Sequence, residues 1–563
     1  MKRRSFIQSS AIAASPFILP AAIRSAAAIP NEYAADVVIV GGGLGGCAAA
    51  LSALKNGLRV VMTEETDWIG GQPTSQAVPF DEHPWIEQFG APRSYRELRT
   101  GIRDYYKRNY PLTAAKMRDA NLNPGNGWVS RIGCEPKAVL AVLQNLFAPY
   151  LSSRQLALLL EHRPVTAEMD GDRVASVIMH DVRNNHQTTL TAPYFIDATE
   201  LGDLLPLTNT EYVTGFEAQS DTGEELAPSE AQPDNMQAAT WCFVIDYLKD
   251  EDHTIEKPEQ YNIWRDYVPQ LTPPWPGKLL SFTYSAPNGP SNARTLGFDP
   301  TGDTMGWFNY RRIIDDANFT PGAYPGDAAV VNWPQNDYLE GNLFDVSEEE
   351  RKKHWSGAQQ LSLSLLYWLQ TEAPRPDGGV GWSGLRLRGD MTGTSHGLAK
   401  YPYIREARRI RAEFTVVAEH VWAEPLSKAQ KVPLHDAKAE SFYDSVGVGS
   451  YRIDLHPSTG GDNYVDIPTC PFQIPLGALI PKRVENLVPA CKNIGTTHLT
   501  NGTYRLHPVE WNIGESAGAL VAYCLNKKEP PRGVRNKETL LKEFQSKLRA
   551  QGVELEWPSI RVR

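Results

Sequence analysis

The chain has no Cys-x-x-Cys pair. Its six cysteines, at positions 47, 134, 242, 470, 491 and 524, show no zinc-ligand spacing either, which argues against a dithiol centre or a metal site and leaves isolated, buried thiols. Clustered cations are missing beyond Lys2-Arg3-Arg4 and the net charge is −10, so the chain offers nucleic acid no basic surface. Past the N-terminal segment, no stretch is long and apolar enough to cross a bilayer. What remains is a globular composition, 41% hydrophobic and 22% charged, in a chain whose 563 residues suggest two or three folded units.

The most informative stretch runs from Ala34 to Gly71. Val37 to Val40 form a short β-branched run, and Gly41, Gly43 and Gly46 follow in G-x-G-x-x-G spacing ahead of an alanine-rich helical segment. In the order strand, turn, helix, Gly41 permits the turn, Gly43 lets backbone approach a pyrophosphate, and Gly46 with Ala48, Ala49 and Ala50 lets the helix lie close to the sheet. The helix N-terminus would face the phosphates. Arg59 to Thr63 read as a second buried strand closed by Glu64, an acid suited to the ribose hydroxyls of an adenosine. A second match to the spacing, Gly379, Gly381 and Gly384, follows Pro374 and Pro376 with no apolar strand before it, and reads as a loop.

Elsewhere the signals are sparser. Met1 to Ala28 has the charged, apolar and small-residue zones of an export signal, and Arg3-Arg4-Ser5-Phe6-Ile7 resembles the twin-arginine type, read by a translocase that moves folded proteins. Pro16, Pro20 and Arg24 argue against a stable membrane anchor there. Gly70-Gly71-Gln72 through Gln76, then Phe80-Asp81-Glu82-His83-Pro84-Trp85, read either as backbone and polar residues lying along a ligand or as a surface loop. Arg93 to Tyr110 and Lys137 to Tyr150 are helical in period; Gln155 to Leu160, Val165 to Met169 and Val174 to His180 read as strands, the last two joined by a Gly171-Asp172 turn.

Tyr194 to Ala198 is another apolar strand, and the Asp197-Ala198-Thr199 that ends it suits either a ligand or an ordinary helix cap. From Leu207 to Gln473, aromatics and prolines replace the βαβ alternation, as expected of an inserted α+β substrate or cap domain. Within it, Met391 to Ile410 gathers Tyr401, Tyr403, Arg405, Arg408 and Arg409, which suit an anionic or polyhydroxy ligand or, alternatively, surface ion pairs with Glu406 and other acids. The closing segment has a strand at Leu487 and Val488, then a loop bearing His498, Tyr504, Arg505 and His507, then a helix opening at Pro508 and running to about Cys524. Leu540, Leu541, Phe544 and Leu548 give a final amphipathic helix.

Taken together, the glycine motif, Glu64, Gly70-Gly71-Gln72, Phe195-Ile196-Asp197-Ala198-Thr199, Tyr403 to Ile410 and the run from Thr497 to Pro508 resemble the bacterial FAD-dependent oxidoreductase family of glutathione-reductase-like flavoproteins. The resemblance implies an α/β fold: a Rossmann-like FAD-binding domain in two parts, residues 30–206 and 474–525, around the inserted domain at 207–473, with the export signal at 1–28 and the C-terminal helix and tail at 526–563. It implies FAD contacts from Gly41, Gly43, Leu44, Gly45, Gly46, Glu64 and Glu65, then from Gly70, Gly71 and Gln72. Val165, Ala198, Thr199 and Asp203 would follow from the centre of the chain, and Pro508, Gly514 and Glu515 from the last long helix. One departure stands out: many related flavoproteins have Gly-Asp after the late strand, where this chain has Ala490-Cys491-Lys492.

The chemistry implied is hydride transfer from a small polar substrate, with sugar-related alcohols among the candidates, to flavin N5 by an exported dehydrogenase or oxidase. His498 or His507 would act as base, Arg505 or Arg405 would hold the substrate, and Tyr504 is a further catalytic candidate. The implied partners are that substrate, an electron acceptor of unknown identity and the twin-arginine export machinery, with a periplasmic or secreted location. Two alternatives stand beside this reading: a flavin hydroxylase using NAD(P)H, and a flavin-fold carbohydrate-binding protein or lyase without net redox chemistry.

Overall fold

A computed structural model of the chain describes residues 31–286, 293–302 and 305–558, so the expected export signal at 1–28 lies outside the described residues. The short strand β1 (Glu32–Ala34) leads into β2 (Val37–Val40), whose four residues are all buried, as an apolar β-branched run flanked by sheet on both sides must be. The glycine turn follows, then α1 (Leu44–Lys55) and β3 (Val60–Glu64). Two amphipathic helices, α2 (Arg93–Asn109) and α3 (Pro136–Ser152), carry the chain to β4 (Leu156–Leu160). Next comes an antiparallel meander of β5 (His162–Asp170), β6 (Arg173–Asp181) and β7 (His186–Thr191), which turns at Gly171 with φ +58°. β8 (Tyr194–Asp197) then returns beside β2.

A second sheet lies in the middle of the chain. Its strands are β9 (Phe243–Tyr247), β10 (Arg312–Ile314), β11 (Ala328–Val331) and β12 (Leu385–Leu387), paired antiparallel in the order β10-β11-β9-β12. Between β11 and β12 runs α4 (Glu348–Thr371), started by the Ser347 hydroxyl accepting from the Glu350 N–H and by three acids in its first turn. The second glycine motif, at 379–384, lies in the loop between α4 and β12.

The last part of the chain completes the parallel sheet. β13 (Leu487–Pro489) adds to its edge, giving five parallel strands in the order β13-β8-β2-β3-β4. The loop expected from His498 to Tyr504 is instead a short helix, α5 (His498–Tyr504), because Thr497 caps it: its hydroxyl accepts from the Thr500 N–H at 3.2 Å. α6 (His507–Lys527) then packs along α1, and it is buried from His507 to Cys524. That closeness depends on missing side chains. A Cβ on Gly514 would lie 2.0 Å from the Gly45 carbonyl, and one on Gly518 would lie 2.2 Å from that of Ala49. α7 (Glu538–Gln551) closes the fold with Leu541, Phe544 and Leu548 buried and Leu540 partly so. All six cysteines are free and buried. No helix among the described residues is long and apolar enough to cross a membrane.

Candidate active site

A cleft opens where β2, β3 and β8 end, the position at which the strand order of a parallel sheet leaves room for ligands. Gly41 has φ +101°, and a Cβ there would come within 2.1 Å of the Ala198 carbonyl, so the turn tolerates glycine alone. Gly45 is similarly confined, by the Ala490 carbonyl at 1.9 Å, and Gly46 by the Gly41 carbonyl at 2.1 Å. Gly43 is different. Its missing side chain faces the cleft, with Glu200 Oε1 at 3.0 Å as the nearest neighbour. Leu44 is the buried first residue of α1.

Of the residues expected to contact the cofactor, Gly41, Gly43, Glu64, Glu65, Gly71, Ala198, Thr199 and Asp203 line this cleft. The Glu64 carboxylate accepts hydrogen bonds from the Gly42 N–H and from the N–H and hydroxyl of Thr66, each at 2.9 Å. Burial still outweighs those donors and lifts its pKa to about 7; burial, aided by Asp203, does the same to Glu65. Asp197 braces the loop after β8, accepting from the N–H and hydroxyl of Thr199 and from the Leu204 N–H. These bonds hold Asp197 within its own loop; the N-cap of the short helix at Leu204–Leu207 is Asp203, and Ala198 and Thr199 line the cleft. Val165 lies outside the cleft, in an adjoining crevice that it shares with Glu65 and Asp203.

The Gly70-Gly71 loop lies directly on the glycine turn: the Gly70 N–H donates to the Gly42 carbonyl at 2.7 Å, and a Cβ on Gly71 would be 2.9 Å from Gly43 Cα. Gln72 then joins this loop to the start of α6. Its amide nitrogen donates to the Arg505 carbonyl at 2.9 Å and to the Glu510 carboxylate. Gln72 Oε1 and both polar atoms of the Gln76 side chain are buried without a protein partner, so polar groups are presented where a polar ligand fits. Pro508 stands in the first turn of α6. Two expectations about that helix need correcting. Gly514 serves the contact between α6 and α1, and Glu515 turns toward α2, where it accepts from the Ser94 hydroxyl. Neither lines the cleft: Gly514 packs on Gly45 at the start of α1 and Glu515 on Ser94, a distinction that the helical period alone does not make.

Beyond Gln72 the side chains form a buried polar cluster. His507 Nδ1 accepts from the Asp81 N–H at 3.1 Å, and the Asp81 carboxylate meets Arg311 at 3.2 Å. Arg505 donates to the Tyr403 hydroxyl at 2.6 Å and to the Asp454 carbonyl at 3.0 Å, with the Asp454 carboxylate at 3.3 Å. Arg405 lies 4.6 Å from the centre of the Tyr403 ring, and its ion pair with Asp337 (3.1 Å) holds it there. Burial, with Arg311, Arg505 and Lys492 nearby, pushes the His507 pKa down to about 3, against the opposing pull of the Val78 carbonyl. The ring is therefore neutral. With Nδ1 accepting a backbone N–H, hydrogen-bond logic assigns its proton to Nε2, which makes His507 a donor and not the base expected of it.

The other catalytic candidates fall elsewhere. His498 stacks on Phe216 at 4.5 Å between ring centres, and its Nδ1 lies 2.8 Å from Glu406, close but poorly aligned, within a buried network that includes Arg409 and Glu217. The Tyr504 hydroxyl donates to the Gln473 carbonyl at 2.8 Å, and its ring packs on Phe472. Arg408 and Arg409 pair with acids, as the ion-pair reading had it, but in the interior and not at the surface. Arg311 and Asp454 were not singled out from the sequence, whereas Asp81 stands in the polar stretch expected to lie along a ligand. Each is an ordinary polar residue in its own segment, and only folding brings the three together.

The sequence matches the model of the FAD dependent oxidoreductase family over residues 36–548. The chain belongs to that family. Membership makes FAD the cofactor and places the protein among the oxidoreductase enzymes. Among solved structures, the family member is similar to the apo Mycobacterium smegmatis Sdh1 complex, at 13% identity over 30% of this chain and 34% of that one, with a TM-score of 0.22. It is similar to the Bacillus halodurans glycerol-3-phosphate dehydrogenase complexed with FAD, at 12% identity over 38% and 41% of the two chains, TM-score 0.23. It is also similar to a point variant of FrdA from E. coli quinol fumarate reductase, at 11% identity over 92% and 74%, TM-score 0.31. The matched region spans less than half of the first two of those chains. No curated protein matches the sequence. The residues present fit the cofactor: a glycine turn with room only for backbone, an acid at the end of β3, an unpartnered amide oxygen on Gln72 and an unpartnered amide group on Gln76.

Proposed function

We propose that the protein is an exported flavin oxidoreductase that oxidises a small, neutral, hydroxyl-bearing substrate, with sugar-related alcohols as the leading class. The reading divides the chain into an FAD-binding domain, residues 30–206 and 474–525, and an inserted substrate domain, residues 207–473. The observation that carries it is the buried polar cluster beside Gln72, in which Asp81 faces Arg311 and Asp454 faces Arg505, so that acids and guanidiniums alternate and their charges compensate. Such a cluster offers paired donors and acceptors to hydroxyl groups and leaves no net charge for an ionic substrate to neutralise. Tyr403, Tyr310 and Tyr451 add aromatic surface in the same electrostatic neighbourhood.

When bound, FAD supplies the hydride acceptor at N5. This chain's residues do the remaining work. Glu64, Gly43 and the N-terminus of α1 hold the adenosine diphosphate end, and the first turn of α6 presents the positive end of its dipole to the ring end. His507 donates from Nε2, which orients an oxygen atom. Asp81, held by Arg311 and by its own N–H to His507, takes the substrate's hydroxyl proton, a role that a neutral histidine with its lone pair already engaged cannot fill.

The test is anaerobic mixing of the purified mature protein with aldoses, polyols and simple polar alcohols, following loss of the oxidised flavin's visible absorbance. Bleaching by a polyol or sugar, lost in Asp81→Asn, is the expected result. Reduction by NADPH alone, with no response to any alcohol, contradicts the reading. Export through the twin-arginine route rests on Arg3 and Arg4, and substitution of both by Lys is expected to leave the protein in the cytoplasm of a bacterial host.

A further inference from the structure

Four acids line the cofactor cleft, Glu64, Glu65, Glu200 and Asp203, and no lysine or arginine does so among its described lining residues. A diphosphate brought among them is repelled by each that is ionised, strongly where water is scarce. The N-terminus of α1 does not fully compensate, because the Gly45 N–H already donates to Glu510 Oε1 at 3.1 Å. Behind the acids stands Lys492, whose side chain is fully buried. Its ammonium pairs with Glu200, and Glu200 and Glu510 together outweigh burial and hold the lysine charged. Glu200 in turn reaches forward: its Oε1 lies 3.0 Å from the position of a Cβ on Gly43 and 2.9 Å from that of a Cβ on Gly71. One carboxylate thus fills the gap between the dinucleotide turn and the Gly70-Gly71 loop, with a buried cation on its far side.

We infer that Lys492 is the counter-cation of the FAD diphosphate and that Glu200 holds its place, releasing the ammonium to the phosphates when FAD is bound. The inference rests on the family's cofactor lying over Gly41 to Gly46. It explains why a lysine is kept in an interior that otherwise rejects one: unpaired, it is costly, but paired alternately with Glu200 and with a diphosphate it never loses an anion. Glu510 stays on the Gly45 N–H and Gln72, and anchors the other side of the lysine.

The experiment dilutes the purified holoenzyme and reads FAD dissociation from recovered flavin fluorescence, with ADP or adenosine as competitors for rebinding. In Lys492→Met the dissociation constants of FAD and of ADP each rise at least tenfold, whereas that of adenosine, which has no phosphate, stays as in the wild type. Lys492→Arg stays within a few-fold of wild type. If Lys492→Met fails to fold, Glu200→Gln decides: removing the competing carboxylate tightens FAD several-fold. Unchanged FAD affinity in Lys492→Met, an equal loss for adenosine, or weaker FAD binding in Glu200→Gln overturns the inference. A wild-type protein that holds no FAD at all overturns the cofactor placement itself.

Discussion

Glu64 shows how much a single residue's surroundings can do. Three donors favour its charged form, yet burial prevails and its pKa stands at about 7 against an ordinary 4.5. Between those values the folded chain keeps a proton that the unfolded chain has released. The stability this contributes is complete below the unfolded value and is lost as pH rises through the folded one. Glu65, Asp197 and Glu224, each also lifted to about 7, act in the same sense, whereas Glu87 and Asp337, both lowered to about 2, matter only in stronger acid. Set against Glu64→Gln, FAD-stripped wild-type protein is therefore expected to lose stability as pH is raised from about 5 to about 8, a comparison that cancels the opposite contribution of histidines such as His83 and His507, whose pKa values burial lowers. Calorimetry across that range checks it; identical slopes in the two proteins would contradict the assignment. His507 gives the complementary case. Because its pKa lies near 3, the pH profile of kcat/KM should carry no histidine limb close to neutrality. His507→Gln keeps a donor and should lose little, whereas His507→Phe should lose about 10²-fold in kcat.

At the scale of elements, the contact between α1 and α6 holds the cofactor turn against the start of the helix that faces the ring end. Gly518→Ala would drive a methyl toward the Ala49 carbonyl, now 2.2 Å from where that carbon would sit, and the helices must part. Overpacking of this kind costs typically about 1–3 kcal/mol, to be read from denaturant unfolding, and FAD dissociation should quicken because α6 carries Glu510 and His507 with it. This contact was half legible in the sequence. Gly514, Ala517 and Gly518 mark a small face, but not which of its residues meets a helix and which a ligand, and so Glu515, which turns to Ser94, looked like a neighbour of the cofactor. Strand β2, the glycine turn and β3 were legible because each local preference there agrees with the fold. Helix α5 was not, since Gly502 and the surrounding threonines disfavour a helix locally and Thr497 capping with tertiary packing overrides them. The polar cluster was legible only in part, because Arg311, Asp454 and Asp81 come from segments that share no local pattern.

Across the whole molecule, the C-terminal tail reaches back to the loop that begins at the polar cluster. Glu554 accepts from the Gly90 N–H at 2.7 Å and pairs with Arg96 at 2.8 Å. Trp557 packs against His83, Trp85 and Phe89, and its indole N–H donates to the Gly449 and Phe472 carbonyls. The segment 82–90 is thereby fastened at its far end by residues more than 450 positions away, and Asp81 sits at its near end, holding His507 and Arg311. Deleting the tail would test nothing specific, since α7 also buries Leu541, Phe544 and Leu548, and losing those threatens the fold outright. Glu554→Ala is the sharper change. It leaves the Gly90 N–H without its acceptor, at a cost of about 1–3 kcal/mol, and frees Arg96. Hydrogen exchange should then quicken across 82–90 while β2 and β3 stay protected. If the loop positions Asp81, KM for the substrate should rise with FAD affinity unchanged, because Glu554 fastens the loop that begins at Asp81 through Gly90 and Arg96 and not the glycine turn. Faster exchange in 82–90 without any change in KM would separate the tail from the polar cluster.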